Sequence, residues 1–459
     1  MKPGTPIDRR EFLLSSGLAL ALPALSRARD EAPAGWESVP GTLSRIRPPL
    51  FPDRDFTITG YGARDDGRTD CTDAIARAVA ACHGAGGGRV LVPAGAFLTG
   101  PIHLRSGVDL HLAADAHLRF DTDPRRYLPV VPTRWEGVEC MNYSPLVYAL
   151  GQENIAVTGP GVLDGQADHE HWWPWCGSPL FGARAGAPHQ APARRELFRM
   201  GDEDVPVARR VFGEGGFLRP GFLQFYRCRN VLLEGVTVRR APMWQIHPVL
   251  CTNVTVRGVS MVSHGPNNDG CNPESSRDVL IEECHFDTGD DCIAVKSGRN
   301  RDGRRVAVPS ENIVVRRCRM KDGHGGVTIG SEASGGVRGV YAEGCSMDSP
   351  NLERALRLKT NSVRGGFIEH VYMRDVTVGQ VSDAVLRIDL FYEEGDAGRF
   401  PPRVRHIEMR NVTSRKSRYA LYLRGYAHTP LEDIRVIGCS LGGVALPDVI
   451  ENVKGLRIE

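Results

Sequence analysis

The chain has 459 residues, with 57 Lys or Arg against 55 Asp or Glu, and the net charge of +2 excludes bulk electrostatic binding of nucleic acid. Charged residues at 24% and apolar residues at 41% give the balance of a folded chain, not a disordered one. No apolar run reaches the roughly 18 residues of a helical membrane span, which excludes an integral membrane protein of that kind.

The first element is an address. Asp8-Arg9-Arg10-Glu11-Phe12-Leu13-Leu14 precedes an apolar stretch from Leu13 to Leu25 and a small-x-small site, Ser26-Arg27-Ala28. This is similar to a twin-arginine export signal, with Asp8 and Leu14 as departures, and implies an exported chain, periplasmic or secreted. Removal of residues 1–28 leaves 53 basic and 53 acidic residues. Residues 29–54 read as an N-terminal extension. Because this route carries folded proteins, the fold does not need disulfides from its 12 cysteines.

Residues 55–64 and 88–120 read as short strands around a helix from Asp70 to His83, with Asp70 and Thr72 as candidate N-caps. That helix is suited to cap the exposed end of a stack.

The stack is announced by a nine-residue pattern. Asn (or Asp, His, Gly) is followed by Val or Ile, then by alternating apolar positions, with Val or Cys at the seventh. It begins at Asn154, Asn230, Asn253, Asp278, Asn312, Gly339, His370, His406 and Asp433. Short alternating runs rich in Val and Ile are strands, and one such strand cannot bury its face alone. Parallel stacking of copies about 4.8 Å apart can. The predicted fold is all-β, a single-stranded right-handed parallel β-helix (a solenoid) over residues 55–459 with an N-terminal capping helix. Cys284, Cys318, Cys345 and Cys439 share the seventh position with Val236, Val259, Val376 and Val412, so they read as small buried hydrophobes. A second strand family comprises 292–296, 326–330, 355–359 and 420–424. Residues 166–222 break the repeat as an insertion of 57 residues, with a charged helix-like segment over 193–210. Its Trp172, Trp173 and Trp175 could stack on sugars or pack the insertion down. His169 and His171 read as surface residues, being two histidines without a third ligand.

Polar clusters sit beside the second family: Asn267-Asn268-Asp269-Gly270, Gly289-Asp290-Asp291-Cys292, Gly323-His324-Gly325-Gly326 and Arg357-Leu358-Lys359. Asp269 and Asp291 are 22 residues apart, one short coil, so they stack at about 5 Å. Aligning the small residues puts His324 in the column of Asp290, and Arg357 and Lys359 share a strand face. Convergent carboxylates raise at least one pKa, a cost that glycosidic hydrolysis explains: one acid protonates the leaving oxygen and another carboxylate activates water. Arg and Lys alongside suit a substrate bearing its own carboxylate.

The stretches 263–276 (SHGPNNDGCNPESS), 286–298 (FDTGDDCIAVKSG), 323–337 (GHGGVTIGSEASGGV) and 355–360 (ALRLKT) resemble, in order, the signatures of the polygalacturonases of glycoside hydrolase family 28. The resemblance covers about 55–455. It implies inverting hydrolysis of α-1,4-galacturonosidic bonds in pectin. Asp290 is then the general acid, and Asp269 and Asp291 activate water. His324 tunes the acid, while Arg357 and Lys359 hold a galacturonate carboxylate. Tyr392 matches a substrate-contacting tyrosine more loosely. Asn268 stands where the family has Thr. Asn267, Gln245, His247, His264, Asn272, Lys296 and Glu332 lie beside the signatures, either as substrate contacts or as turn residues. The expected substrate is a pectic polysaccharide or oligogalacturonide attacked from one end, with the insertion walling the cleft. No cofactor or metal, no nucleic acid, a monomer and an acidic pH optimum complete the expectation. The alternatives are a hydrolase of rhamnogalacturonan or another decorated pectin, a Ca²⁺-dependent lyase on the same fold, and a non-catalytic glycan-binding β-helix.

Overall fold

The computed structural model describes residues 35–459, and the export signal expected at 1–28 lies outside them. All nine repeat copies are strands of one 14-stranded parallel sheet, here the first face of the solenoid. Register runs unbroken through them: Ile155, Val231, Val254, Val279, Ile313, Val340, Val371, Ile407 and Ile434 form one column, buried throughout. The structure is a right-handed parallel β-helix.

The first residue of the repeat explains its own chemistry. In all nine copies it adopts a left-handed φ, between 51° and 68°. Asn, Asp, His and Gly tolerate that region and β-branched residues do not. The same side chains then pair along the axis. Asn230 Nδ2 donates to Asn154 Oδ1 at 2.9 Å, Asn253 to Asn230 at 2.8 Å, and His370 stacks on His406 at 4.7 Å. Inside the turn, Cys284, Cys318 and Cys345 are buried as the Val alternation predicts, whereas Cys439, on the last repeat copy, is only partly buried; all 12 thiols are unpaired.

Two strand families were legible; the structure has three faces. The second is a 12-stranded sheet whose later members, such as Arg319–Met320 and Ser346–Met347, are two residues long, too short to show a period. The third face carries the second strand family, with Ala384–Asp389 as a further strand in register. Its six strands continue into a four-stranded group through bridges at Cys271 and Glu274.

Among the described residues four α-helices decorate the solenoid: α1 (Val39–Arg45), α2 (Thr72–Gly84), α3 (Ala191–Asp202) and α4 (Asn300–Val306). Helix α2 caps the N-terminal end, burying Ala74, Ile75, Ala78, Val79 and Cys82. Its N-cap is Cys71, not Asp70 or Thr72: the Cys71 carbonyl takes the Ile75 N–H at 2.9 Å, and the Asp70 carboxylate accepts the Thr72 N–H from one residue further out. Helix α3 is shorter than the charged segment 193–210, which continues as a turn at Val207–Arg209 after Pro206. Helix α1 lies across the outer side of the first face, where Trp36, Val39 and Ile46 meet Leu280, Val314, Tyr341 and Tyr372.

One element escaped the sequence reading. Val131–Trp135 and Val138–Asn142 form an antiparallel hairpin, paired Trp135 to Val138 across Glu136 and Gly137. Two runs separated by two residues are a hairpin signal, but Glu-Gly is a weaker one than Asn-Gly. The hairpin, α3 and the end of the insertion share a small core of Trp135, Val138, Cys140, Leu197, Phe212, Leu218, Met243 and Trp244.

Candidate active site

Parallel register carries the polar turns of successive coils onto one another. Gln245 N–H donates to the Asp269 carbonyl at 2.9 Å, Gly270 N–H to that of Asp291 at 3.0 Å, and His324 N–H to that of Asp290 at 3.2 Å. Asp269 and Asp291 are therefore one coil apart and His324 stands in the Asp290 column. Strand alternation sends Thr328 and Arg357 outward in one column, and Glu274, Lys296, Gly330 and Lys359 in the next. The small residues Ala294 and Gly330 keep this floor low at its centre.

One carboxylate oxygen from each of Asp269, Asp290 and Asp291 lies within 4.8 Å of the others. Asp291 is wholly buried and clamped: Lys359 Nζ at 2.8 Å, Thr328 Oγ1 at 2.9 Å and Arg357 Nη1 at 3.2 Å. Asp290 Oδ1 meets His324 Nδ1 at 2.9 Å. Asp269 has one cation near it, Lys296 Nζ at 3.6 Å, which is closer to Glu332 at 3.0 Å. Tyr392 presents its ring 5.3 Å from Lys359 Nζ and 5.7 Å from the Arg357 guanidinium.

These environments separate three identical side chains. Burial, reinforced by Asp290, pushes Asp269 up to about 8 against the pull of Lys296. Burial pushes Asp291 up as well, but Lys359 and then Arg357 outweigh it and hold its carboxyl well below the usual range. For Asp290 the His324 hydrogen bond likewise overcomes burial and lowers it, and the same bond lifts His324 to about 9. Burial therefore favours the cluster's proton on Asp269, where the family resemblance puts it on Asp290.

The floor is closed on one side of the trio. Thr133 Oγ1 of the hairpin donates to Gln224 Oε1 at 2.5 Å, and Gln224 Nε2 donates to the Arg134 carbonyl at 3.2 Å. Arg134 pairs with Glu274 at 3.3 Å, and Glu274 with His247 at 2.7 Å. The hairpin turn touches the site's edge: Arg299 N–H donates to the Gly137 carbonyl at 3.0 Å, and a Cβ on Gly137 would stand 2.7 Å from Arg299 N. The φ of Gly137, 80°, is a second reason for glycine. On the other side, Arg357, Arg387 and Tyr422 on successive coils remain partly exposed.

This cover buries most of the residues beside the signatures. His247 is 1% exposed beneath the hairpin and Gln245 is 0% exposed, its Nε2 bound to the Asn268 carbonyl. Asn272 is equally buried. The Asn267 side chain holds its turn by accepting from Arg219 Nη2 at 2.7 Å. Lys296 and Glu332 reach the trio but are 3% and 6% exposed. Asn268 lies under the site: its Oδ1 accepts from Ser263 Oγ at 2.5 Å and Gly265 N–H at 2.8 Å, so the departure from the family signature belongs to the turn. Trp172 and Trp173 are buried in the solenoid core with Trp175 packed against them, which decides for packing. His264 is an exposed partner of Asp287, and His171 of Asp168. On this side the hairpin lies over the floor, with α3 of the insertion packed behind it. Thr328 and Trp244 were missed; aligning 326–330 with 355–359 would have found Thr328 opposite Arg357.

Two carboxylate-rich sets could be read as cation sites, the trio and His264–Asp287–Asp322. The trio already faces Lys359, Arg357, Lys296 and His324, and Lys321 Nζ lies 2.9 Å from Asp287, so both sets are supplied with positive charge.

The model of the family Glycosyl hydrolases family 28 matches residues 214–457. Among solved structures, a hyperthermoactive exopolygalacturonase from Thermotoga maritima is 48% identical, with 92% of this chain and 95% of that one covered and a TM-score of 0.90. A polygalacturonase from Erwinia carotovora ssp. carotovora shares the fold at 21% identity and a TM-score of 0.67, covering 89% of this chain and 98% of that one. A curated relative, the exo-poly-alpha-D-galacturonosidase of Dickeya chrysanthemi, is 25% identical over 79% of this chain and 62% of its own length.

Proposed function

The chain belongs to the glycosyl hydrolases of family 28, and from that premise we propose that it removes galacturonate units from one end of a pectic chain by inverting acid/base hydrolysis. The observation that carries this reading is a floor where three carboxylates converge beside Arg357 and Lys359, covered by the hairpin on one side and partly exposed at Arg357, Arg387 and Tyr422 on the other. On this reading a polymer lies along the exposed side and its end meets the hairpin.

Asp290 is assigned as the acid to the glycosidic oxygen, with His324 holding its orientation. Asp269 and Asp291 flank the attacking water, and one of them takes its proton as the bond breaks. The proton that burial favours on Asp269 reaches Asp290 within the coupled trio once substrate excludes bulk water. The three groups are closer than the roughly 6.5–9.5 Å of a two-carboxylate inverting site. That spacing leaves room for water between acid and base, whereas here the water lies beside a pair and the acid only has to reach the leaving oxygen. Arg357 and Lys359 hold Asp291 ionised and offer their remaining donors to a substrate carboxylate, beside the Tyr392 ring. Export through the twin-arginine route belongs to the same reading, and the 12 unpaired thiols support a chain that folds before export.

Chromatography of products from polygalacturonic acid tests the function. A single short saturated acid from the first time point is expected. A ladder of oligomers overturns end-on attack, and an unsaturated product abolished by a chelator overturns hydrolysis in favour of a lyase.

A further inference from the structure

Lys296 is a buried ammonium between two acids. Its Nζ lies 3.0 Å from Glu332 Oε2, 3.4 Å from the Gly330 carbonyl and 3.6 Å from Asp269 Oδ2, and 4.6 Å above the Trp244 ring. The side chains of Lys296 and Glu332 are 4% and 8% exposed, so neither is placed to contact a sugar directly. We propose that Glu332 is a positioning residue for the hydrolysis: with Trp244 it holds Lys296 off Asp269, and it acts on the reacting groups through that lysine alone. The inference rests on the glycosidase reading above.

The reason is electrostatic. A buried ammonium pairs with the nearest carboxylate that can take it. Without Glu332 that partner is Asp269, and a full ion pair there would fix Asp269 as a carboxylate and strip the cluster of its proton. Glu332 is itself secured from its far side by Arg299 Nη1 at 3.6 Å. Lys296 and then Arg299 outweigh burial and hold Glu332 well below the usual carboxylate range, so its charge persists wherever the enzyme works. The other charged and titratable groups facing this line are Asp290, Asp291 and Lys359 on the floor, His247 and Glu274 on the preceding coils, Glu393 and Glu394, which share Arg299 at 3.6 and 3.5 Å, Arg364 beyond Arg299, Arg194 of α3 and Tyr392 of the neighbouring loop.

The test is the pH profile of kcat/KM on polygalacturonate for the full chain and for Glu332→Gln, Glu332→Asp and Lys296→Met. Glu332→Gln is expected to move the alkaline limb down by about one pH unit and to cut kcat about tenfold at pH 7, with KM within about twofold. Glu332→Asp is expected to recover part of both. Lys296→Met is expected to move the limb the other way. A severalfold rise in KM with the limb unmoved would make Glu332 a substrate contact, and a lowered Tm with both unmoved would make it structural; either overturns the proposal. If Glu332→Gln does not fold, an unmoved limb in Lys296→Met overturns it alone. A wild-type chain inert on polygalacturonate would sink the glycosidase reading, whereas an active wild type with unshifted variants sinks this inference only.

Discussion

Asp269 loads the fold with a penalty that grows with pH. Its folded pKa of about 8 lies above the ordinary 3.8, so folded chain keeps a proton that unfolded chain has lost. Stability from this group is whole below about pH 4 and declines until pH passes about 8. Asp269→Asn is therefore expected to raise Tm at pH 7 and to leave it nearly unchanged at pH 4, as thermal melts at the two values would show. Asp291 has the opposite sign: its depressed pKa contributes stability that is present above the ordinary range and fades as pH falls below it. Asp290→Asn is expected to lower kcat by about 10³ with the fold intact, measured by product release and by Tm. A variant within about tenfold of wild type would remove Asp290 from the chemistry. At this scale the sequence was informative about which residues meet. The 22-residue spacing and shared small residues located Asp269, Asp290, Asp291 and His324, because parallel register conserves spacing. Only the family resemblance, not the residues themselves, assigned the proton, to Asp290, since its place depends on Lys296, Glu332 and Lys359 reaching in from other coils.

The hairpin is the element on which end-on attack depends. It covers Gln224 and His247, whose column on later coils is partly exposed at Arg357 and Arg387, and Glu274 in the column of Lys296 and Lys359. Replacing residues 131–142 by a short polar turn is expected to expose that floor and to convert a single short product into a ladder of oligomers, read by chromatography. A single product from the shortened chain would place the block elsewhere. The repeat strands make a second prediction. Cys284, Cys318 and Cys345 occupy a position filled by Val on other coils and are buried to the same degree. Changing any one to Val is expected to alter stability by less than about 1.5 kcal/mol in denaturant titration. The repeat was readable because its first residue adopts a left-handed φ in every copy, which favours Asn, Asp, His or Gly there. The hairpin was not, because it occurs once, its turn is Glu136-Gly137, and its partners Gln224 and Glu274 are far away in the chain.

For the whole molecule, the solenoid is a column of nearest-neighbour contacts, and the N-terminal segment ties several of them together. Arg45 pairs with Asp278 at 2.8 Å, Arg47 N–H donates to Asn253 Oδ1 at 2.9 Å, and Trp36 meets Tyr341 and Tyr372 at 5.7 and 6.3 Å. Residues 253 to 372 span five neighbouring strands of the first face. Removing residues 35–47 is expected to lower Tm by several degrees and to expose an apolar patch that dye binding detects, with kcat unchanged because the strap lies on a different face from the trio. The central claim is that Asp269, Asp290 and Asp291 together perform a single displacement at a chain end. Proton NMR of the products of polygalacturonate digestion, recorded as they form, tests it most directly. The account predicts that the first anomeric signal is the β anomer of a short acid, appearing before mutarotation. An α anomer as the first product would contradict it.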